Sequence, residues 1–289
     1  MSSSGEPVLV TGAAGGIGQA VVRRLAGLGF TVYAGVRGRA AAGAGAGAER
    51  LAALDGAVRI VELDVTDADS VAAAAAEIAA RSGRLHAVVN NAGIIVQGPL
   101  ELVPQAELRR QFEVNVYGPA LVTQATLPLL RAGRGRIVNV SAPTARTAVP
   151  FMGPISASKA ALESLSDALR GELAAFGIPV CVVEPGGTDT AIFAKAQKAS
   201  AEALVAVDAD RLALYAPALE ALGRAAAKMK LVPVDGPADV IVRAVTADRP
   251  KALYVVGADS RAAGLLSHLP PKTRTKLTMR ALGLRSTAR

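Results

Sequence analysis

A short apolar run, Val8 to Thr11, breaks into Thr11-Gly12-Ala13-Ala14-Gly15-Gly16-Ile17-Gly18 and resumes as a helical stretch from Ile17 to Leu28. A strand that passes into a helix through glycines at these spacings restricts the chain to few folds. Gly12 permits a tight turn, Gly16 lets backbone approach a pyrophosphate, and Gly18 lets the helix pack close to the strand. Phosphates would sit on the amides at the helix start, that of Ile17 among them.

The same strand-to-helix alternation continues along the chain. Phe30–Val36, Val58–Leu63, Leu85–Asn90, Arg136–Val140, Pro179–Glu184 and Leu253–Val256 read as strands, continuously apolar rather than alternating. Helices are expected at Asp67–Ala80, Glu107–Leu130 and Ser156–Phe176, and the Ala/Gly stretch Gly38–Ala48 reads as a surface loop. Strands buried on both faces and separated by helices indicate an α/β chain with a doubly wound parallel sheet. With no internal repeat or linker, residues 1–289 are read as a single domain.

Composition narrows the functional classes. A hydrophobic content of 51% supplies a large core, and the single Cys181 rules out an internal disulfide framework or a cysteine metal cluster. Cys181 lies in an apolar run and reads as a buried structural thiol. His86 is expected to be exposed and His268 to lie in a loop; the two form no metal cluster. The short polar Met1–Pro7 and the lack of a long apolar run indicate neither export nor membrane spanning, hence a cytoplasmic protein. The net charge of +8 raises the question of nucleic acid. No aromatic residues interleave the basic ones and no nucleic-acid module is recognisable, so no nucleic-acid partner is expected. The basic tail, 270–289, reads as a solvated surface; its leucines leave a weak contact with anionic lipid open.

The glycine turn has the T-G-x-x-x-G-x-G spacing of the short-chain dehydrogenases/reductases, and three further segments are similar to that family. They are Asp64-Val65 after the third strand, Asn90-Asn91-Ala92-Gly93 after the fourth, and Pro185-Gly186 with Thr188 and Thr190. The resemblance covers residues 8–190 closely and extends loosely to about 257. It implies a Rossmann-type fold and a nicotinamide cofactor. Asp64 would contact the adenine, Asn91-Ala92-Gly93 would shape the pocket, and Pro185–Thr190 would close over the nicotinamide. It also implies a homodimer or homotetramer, and a variable substrate-covering segment at about 192–233. The second strand ends in Arg37 with no acidic residue, and Arg37, assisted by Arg39, suits the 2′-phosphate of NADP(H).

Residues 153–163, Gly-Pro-Ile-Ser-Ala-Ser-Lys-Ala-Ala-Leu-Glu, resemble the family's active-site helix with its Tyr-x-x-x-Lys signature. Lys159 matches the lysine and Asn115 the asparagine that supports it through a water. Ile155 stands at the tyrosine position, and Ala142, thirteen residues upstream, at the serine position. Neither side chain can donate a proton or a hydrogen bond. Losing general-acid catalysis costs about 10²–10⁴ in rate, and losing an oxyanion donor roughly 10²–10³. Ser141 sits one residue off, and Ser156 and Ser158 lie on other sides of the helix from Ile155, so none replaces the missing groups. Tyr215 and Tyr117 are the remaining candidate proton donors.

Three chemistries survive such a site. Hydride could pass to an apolar acceptor that needs little acid, such as an iminium ion or a conjugated enone. The pocket could instead catalyse a non-redox reaction such as cyclisation, or bind NADP(H) without catalysis. The first is preferred because Asn115, Lys159 and the Pro185-Gly186 closure all serve a placed nicotinamide.

Overall fold

The computed structural model describes residues 5–38, 49–51, 54, 57–205 and 207–284; Arg39, most of the expected 38–48 loop and the last five residues lie outside them. Seven strands form one parallel sheet: β1 (Pro7–Val10), β2 (Thr31–Val36), β3 (Val58–Glu62), β4 (Ala87–Asn90), β5 (Arg136–Val140), β6 (Val180–Pro185) and β7 (Leu253–Val256), in the order β3-β2-β1-β4-β5-β6-β7. The order reverses between β1 and β4, which pair from Val8↔Ala87 to Val10↔Val89. Loops leaving the two strands there diverge to opposite faces, opening a crevice at the carboxyl edge.

The period of two along each strand fills two cores. Val8 and Val10 join a cluster with Val21, Val22 and Leu25 of helix α1 (Gly16–Gly27) and Ala238, Ile241 and Val245 of α8 (Asp235–Thr246). Leu9 between them faces the other way, among Val71 and Ile78 of α2 (Ala68–Ser82) and Val122 and Leu130 of α4 (Gly118–Gly133). Each fully buried aliphatic side chain contributes about 1.5–3 kcal/mol. The doubly wound single domain is therefore as expected.

Two expectations are corrected. The stretch expected as one helix over Glu107–Leu130 is α3 (Gln105–Phe112) and α4 joined by a π-helical turn at Glu113–Tyr117. Helical periodicity in sequence does not reveal one extra residue per turn; the close approach of Gly118 to Val65, where a Cβ would stand 2.8 Å from Val65 Cγ2, fixes it in space. The covering segment, for which no secondary structure was expected in particular, holds two helices, α6 (Ala191–Leu204) and α7 (Ala209–Ala227), with few buried positions. His86 is half-buried, not exposed: its Nε2 lies 3.1 Å from the Val245 carbonyl, its ring 5.6 Å from that of Phe30, and burial lowers its pKa. The active-site helix is α5 (Gly153–Glu172), and α9 (Ala258–Ser267) and α10 (Pro271–Ala281) follow the sheet. Among the described residues no helix is long and apolar enough to cross a membrane.

Candidate active site

At the carboxyl edge of β1, Gly12 takes a φ of +60°, and a Cβ on it would stand 2.8 Å from Ala92 Cα. A Cβ on Gly18 would collide with the Gly12 carbonyl. The turn therefore holds its shape only with hydrogen at both positions. Gly15 caps α1 with no side-chain hydrogen bond and no acidic residue lies in the first turn, so the N-terminal amides, including that of Ile17, are left for an anion. Gly16 lies under Thr190, whose Cγ2 would be 2.9 Å from an added Cβ. A bare helix start at the switch point, floored by glycine and roofed by Thr190, fits the phosphates of a dinucleotide.

Across the crevice, Asn91 Nδ2 donates to the carbonyls of Thr11 (3.0 Å) and Gly12 (3.2 Å). Thr11 Oγ1 accepts from the amides of Asn91 and Ala92, both at 3.0 Å. The two loops of the switch point are thus stapled together. Thr11 was not singled out from the sequence, although a threonine before the turn glycine was visible. Gly93 lies where Asn115 and Lys159 meet: an added Cβ would be 3.4 Å from Asn115 Oδ1 and 3.7 Å from Lys159 Nζ.

The π-helical turn aims Asn115 into this corner. Asn115 Oδ1 accepts from the Ile94 amide and Nδ2 donates to the Ile94 carbonyl, each at 3.0 Å. One turn earlier, the buried Gln111 accepts from the Val96 amide (2.6 Å) and donates to Ser158 Oγ (3.1 Å). The pair fixes the backbone of 94–96 against α5. Ser158 also donates to the Ile155 carbonyl, and Ser156 to that of Met152. Both hydroxyls are committed to backbone, which agrees with leaving them out as acids.

Lys159 is only 7% exposed, and its Nζ donates to the Val140 carbonyl at 2.7 Å. Burial lowers its pKa to about 8, with the Glu163 carboxylate opposing. Ile155, one turn before it, is buried at 4%, and Ala142 is extended at the end of β5. The structure therefore brings Lys159 and Asn115 together and leaves the two neighbouring positions without a polar atom.

A cluster that sequence reading missed lies behind them. Ser141 Oγ donates to Glu163 Oε1, so its hydroxyl is committed to that carboxyl. Burial pushes the Glu163 carboxyl up to about 7. Glu184, at the end of β6, is fully buried and pairs with Arg146 Nη2 at 2.5 Å. Burial raises its pKa, against the opposing Arg146 cation and the nearby Glu163 carboxyl. The only signal was acidic residues inside an apolar strand and on the inner side of a helix.

After β6, Thr188 Oγ1 donates to the Gly186 carbonyl, and the Gly187 amide donates to Asp259 at 2.7 Å. A Cβ on Gly186 would overlap that carboxylate. Thr188 bridges Val232, so the excursion of α6 and α7 leaves and re-enters the fold at one point. Thr190 caps α6 through the Ile192 amide. The α6 helix packs closely over Ile95, Val96, Gln97, Leu102 and Val103 with Ala199, Ser200 and Leu204, leaving a free space of about 20 Å³, room for about one water. Tyr215, on α7, meets Phe151 edge-on at 6.4 Å and donates its hydroxyl to Glu101 Oε2 at 2.7 Å. That bond raises the tyrosine pKa, so the hydroxyl is committed to the rim rather than to Lys159. Tyr117 is 54% exposed on the outer side of the π-helical turn.

The remaining expected residues lie at the edges. Asp64 Oδ1 accepts from the Thr66 amide (3.0 Å) and hydroxyl (2.7 Å), shaping its own turn, and Val65 is buried against Gly118. Arg37 is exposed at the end of β2 and, among the described residues, makes no hydrogen bond or ion pair. Cys181 is buried, which pushes its thiol up to about 11. Among the described residues no group of three or more potential metal ligands occurs.

A family model described as short chain dehydrogenase matches residues 6–201. The "3-amino-tetrahydro-pyrrolizinone reductase" of Xenorhabdus hominickii is 38% identical over 192 residues, 65% of this chain and 63% of that protein, so the chain spans less than two thirds of that relative. The "NADPH-dependent 3-dehydrocapnine reductase" of Ornithobacterium rhinotracheale is 33% identical over 257 residues, 86% of this chain and 87% of the relative. A crystal structure of a short chain dehydrogenase from Burkholderia cenocepacia in complex with NADP superimposes with a TM-score of 0.71 at 28% identity, covering 98% of this chain and 99% of that one.

Proposed function

We propose that this chain, which belongs to the short-chain dehydrogenase family, is an NADP(H)-dependent oxidoreductase that passes hydride to an apolar acceptor already activated towards it, an iminium ion or a conjugated enone. The observation that carries the reading is the contrast at one corner of the site. Lys159 and Asn115 are placed and bonded, while Ile155 and Ala142 offer no donor beside them.

When bound, the nicotinamide dinucleotide supplies the hydride. The α1 amides and the Gly12–Gly18 turn would hold its phosphates, Asp64 and Val65 would border the adenine, and Arg37 would pair with a 2′-phosphate. Lys159 would bind the nicotinamide ribose, and Pro185, Gly186, Thr188 and Thr190 would close over the ring. The preference for NADP(H) is supported by the free Arg37, by the absence of an acidic residue at the end of β2, and by the relatives named for NADPH or crystallised with NADP.

Reducing an iminium ion consumes the hydride and its positive charge together, leaving a neutral amine and no proton to place. With an enone, hydride at the β-carbon shifts an electron pair towards the carbonyl, and the enolate takes its proton from water. Neither reaction asks for the groups missing at 155 and 142. The Ala- and Leu-rich composition of residues 192–233, the expected cover of the site, supports an apolar substrate. The family resemblance supports a homodimer or homotetramer.

The test is to titrate the purified chain with NADPH and NADH by calorimetry, then incubate it with cyclic imines, enones and simple ketones. Tighter binding of NADPH and cofactor oxidation that tracks imine or enone product support the reading. Conversion without cofactor oxidation would replace it with a non-redox catalyst. Binding of NADPH without any conversion would replace it with a silent binder.

A further inference from the structure

We propose that helices α9 and α10 dock the protein on an anionic lipid surface. No acidic residue occurs after Asp259, whereas Arg261, Lys272, Arg274, Lys276 and Arg280 fall on these two helices or the turn between them. Along α10, Lys272, Lys276 and Arg280 recur at every fourth residue and are all exposed, which places them in one stripe on the outer side of the helix. The inner side is set by Thr278, buried at 7%, and by the half-buried Arg274 and Met279. Arg274 is held inward by its bond to the Ser267 carbonyl at 3.2 Å, which ties α10 to α9. Among the described residues, Arg261, Lys272, Lys276 and Arg280 have no acidic partner.

Charge alone would suit any polyanion; the leucines select lipid. Leu277 follows the central lysine and is 39% exposed, and Leu265, one turn after Arg261 on α9, is 75% exposed. Basic side chains beside exposed aliphatic ones fit headgroup phosphates above and acyl chains below. The described residues of the two helices contain no Phe, Tyr or Trp on which a base could stack. Three contacts tie this surface to the proposed site. Asp259 holds the Gly187 amide, the Ala263 carbonyl accepts from Thr147, and Gly264 packs on the Arg146 guanidinium. A chain seated this way would take an apolar substrate from a bilayer, although docking itself does not depend on which reaction the site performs.

The experiment is flotation of the purified chain with vesicles of phosphatidylcholine alone and of phosphatidylcholine mixed equally with phosphatidylglycerol, at low and high salt. The chain should float with the anionic vesicles at low salt and not with the neutral ones. Each basic side chain near such a surface is worth about fivefold in partitioning. Lys272→Glu/Lys276→Glu/Arg280→Glu should therefore lower it by at least tenfold, and Leu265→Ser/Leu277→Ser by several-fold. Reversal of the scattered Arg23, Arg109 and Arg249 should matter less, with unchanged melting temperatures showing that all variants fold. Absence of flotation, or equal losses from the two charge reversals, would overturn the proposal. So would tighter binding to a DNA oligonucleotide than to the anionic vesicles through the same three residues.

Discussion

Two ionisable groups on α5, the buried Lys159 and the half-buried Glu163, should give the stability of this chain a minimum near neutral pH. Glu163 has an ordinary pKa of 4.5 and a folded one of about 7. Below 4.5 both states hold the proton and stability is full. As pH rises from 4.5 to about 7, the unfolded chain releases the proton while the folded chain retains it, so stability falls; above 7 this loss is complete. At about 1.4 kcal/mol per pH unit the loss is at most about 3.5 kcal/mol. Partial exposure of Glu163 reduces this to about 2 kcal/mol. Lys159 acts in a separate window. Its pKa falls from 10.5 to about 8, so the cost of burying its ammonium is complete below 8 and is relieved as pH climbs towards 10.5. Denaturant unfolding across this range should show stability lowest between about 7 and 8. Glu163→Gln should flatten the acid-side fall by about 2 kcal/mol, equivalent to about 4–8 °C in melting temperature for a domain of this size. Glu184, raised in the same direction, leaves some slope in the variant. A variant with the slope of the parent chain would refute the reasoning.

Other outcomes follow from the same geometry. Ile155→Tyr with Ala142→Ser should raise NADPH-dependent reduction of simple ketones by at least about a hundredfold in an absorbance assay. Gly18→Ala pushes a methyl group onto the Gly12 carbonyl; calorimetry should show loss of cofactor binding, and unfolding a cost of about 1–3 kcal/mol. Arg146→Met leaves the buried Glu184 without its cation, which should cost about 3–5 kcal/mol at neutral pH and less in acid, where Glu184 gains a proton.

The doubly wound parallel sheet and the glycine turn were legible because each rests on local pattern; the order of the strands, a long-range property, came only from the structure. Apolar runs such as Val180–Glu184 can only be interior strands, and Gly12 and Gly18 sit where only hydrogen fits. The join of Asn115 to Lys159 through Gly93 was legible only through family resemblance, since no local pattern relates residues so far apart. The π-helical turn was invisible because Val114, Leu121 and Val122, spaced i, i+7 and i+8, satisfy a helical period well enough without it. Tyr215 could be named as a hydroxyl but not placed, because Glu101, which holds it, lies more than a hundred residues away. The Glu163–Ser141 and Glu184–Arg146 contacts escaped for the same reason, and buried carboxylates are rare enough that composition gives no warning.

The central claim is that this site transfers hydride without an acid at positions 142 and 155. The most direct measurement uses NADPH carrying deuterium at the transferable C4 position, incubated with a cyclic iminium ion, an enone and a matched simple ketone, with products read by mass. Deuterium should appear in the amine or the saturated ketone at a rate far above that of alcohol formation from the simple ketone. Equally rapid labelling of the alcohol would contradict it, because some other group would then be protonating the carbonyl oxygen.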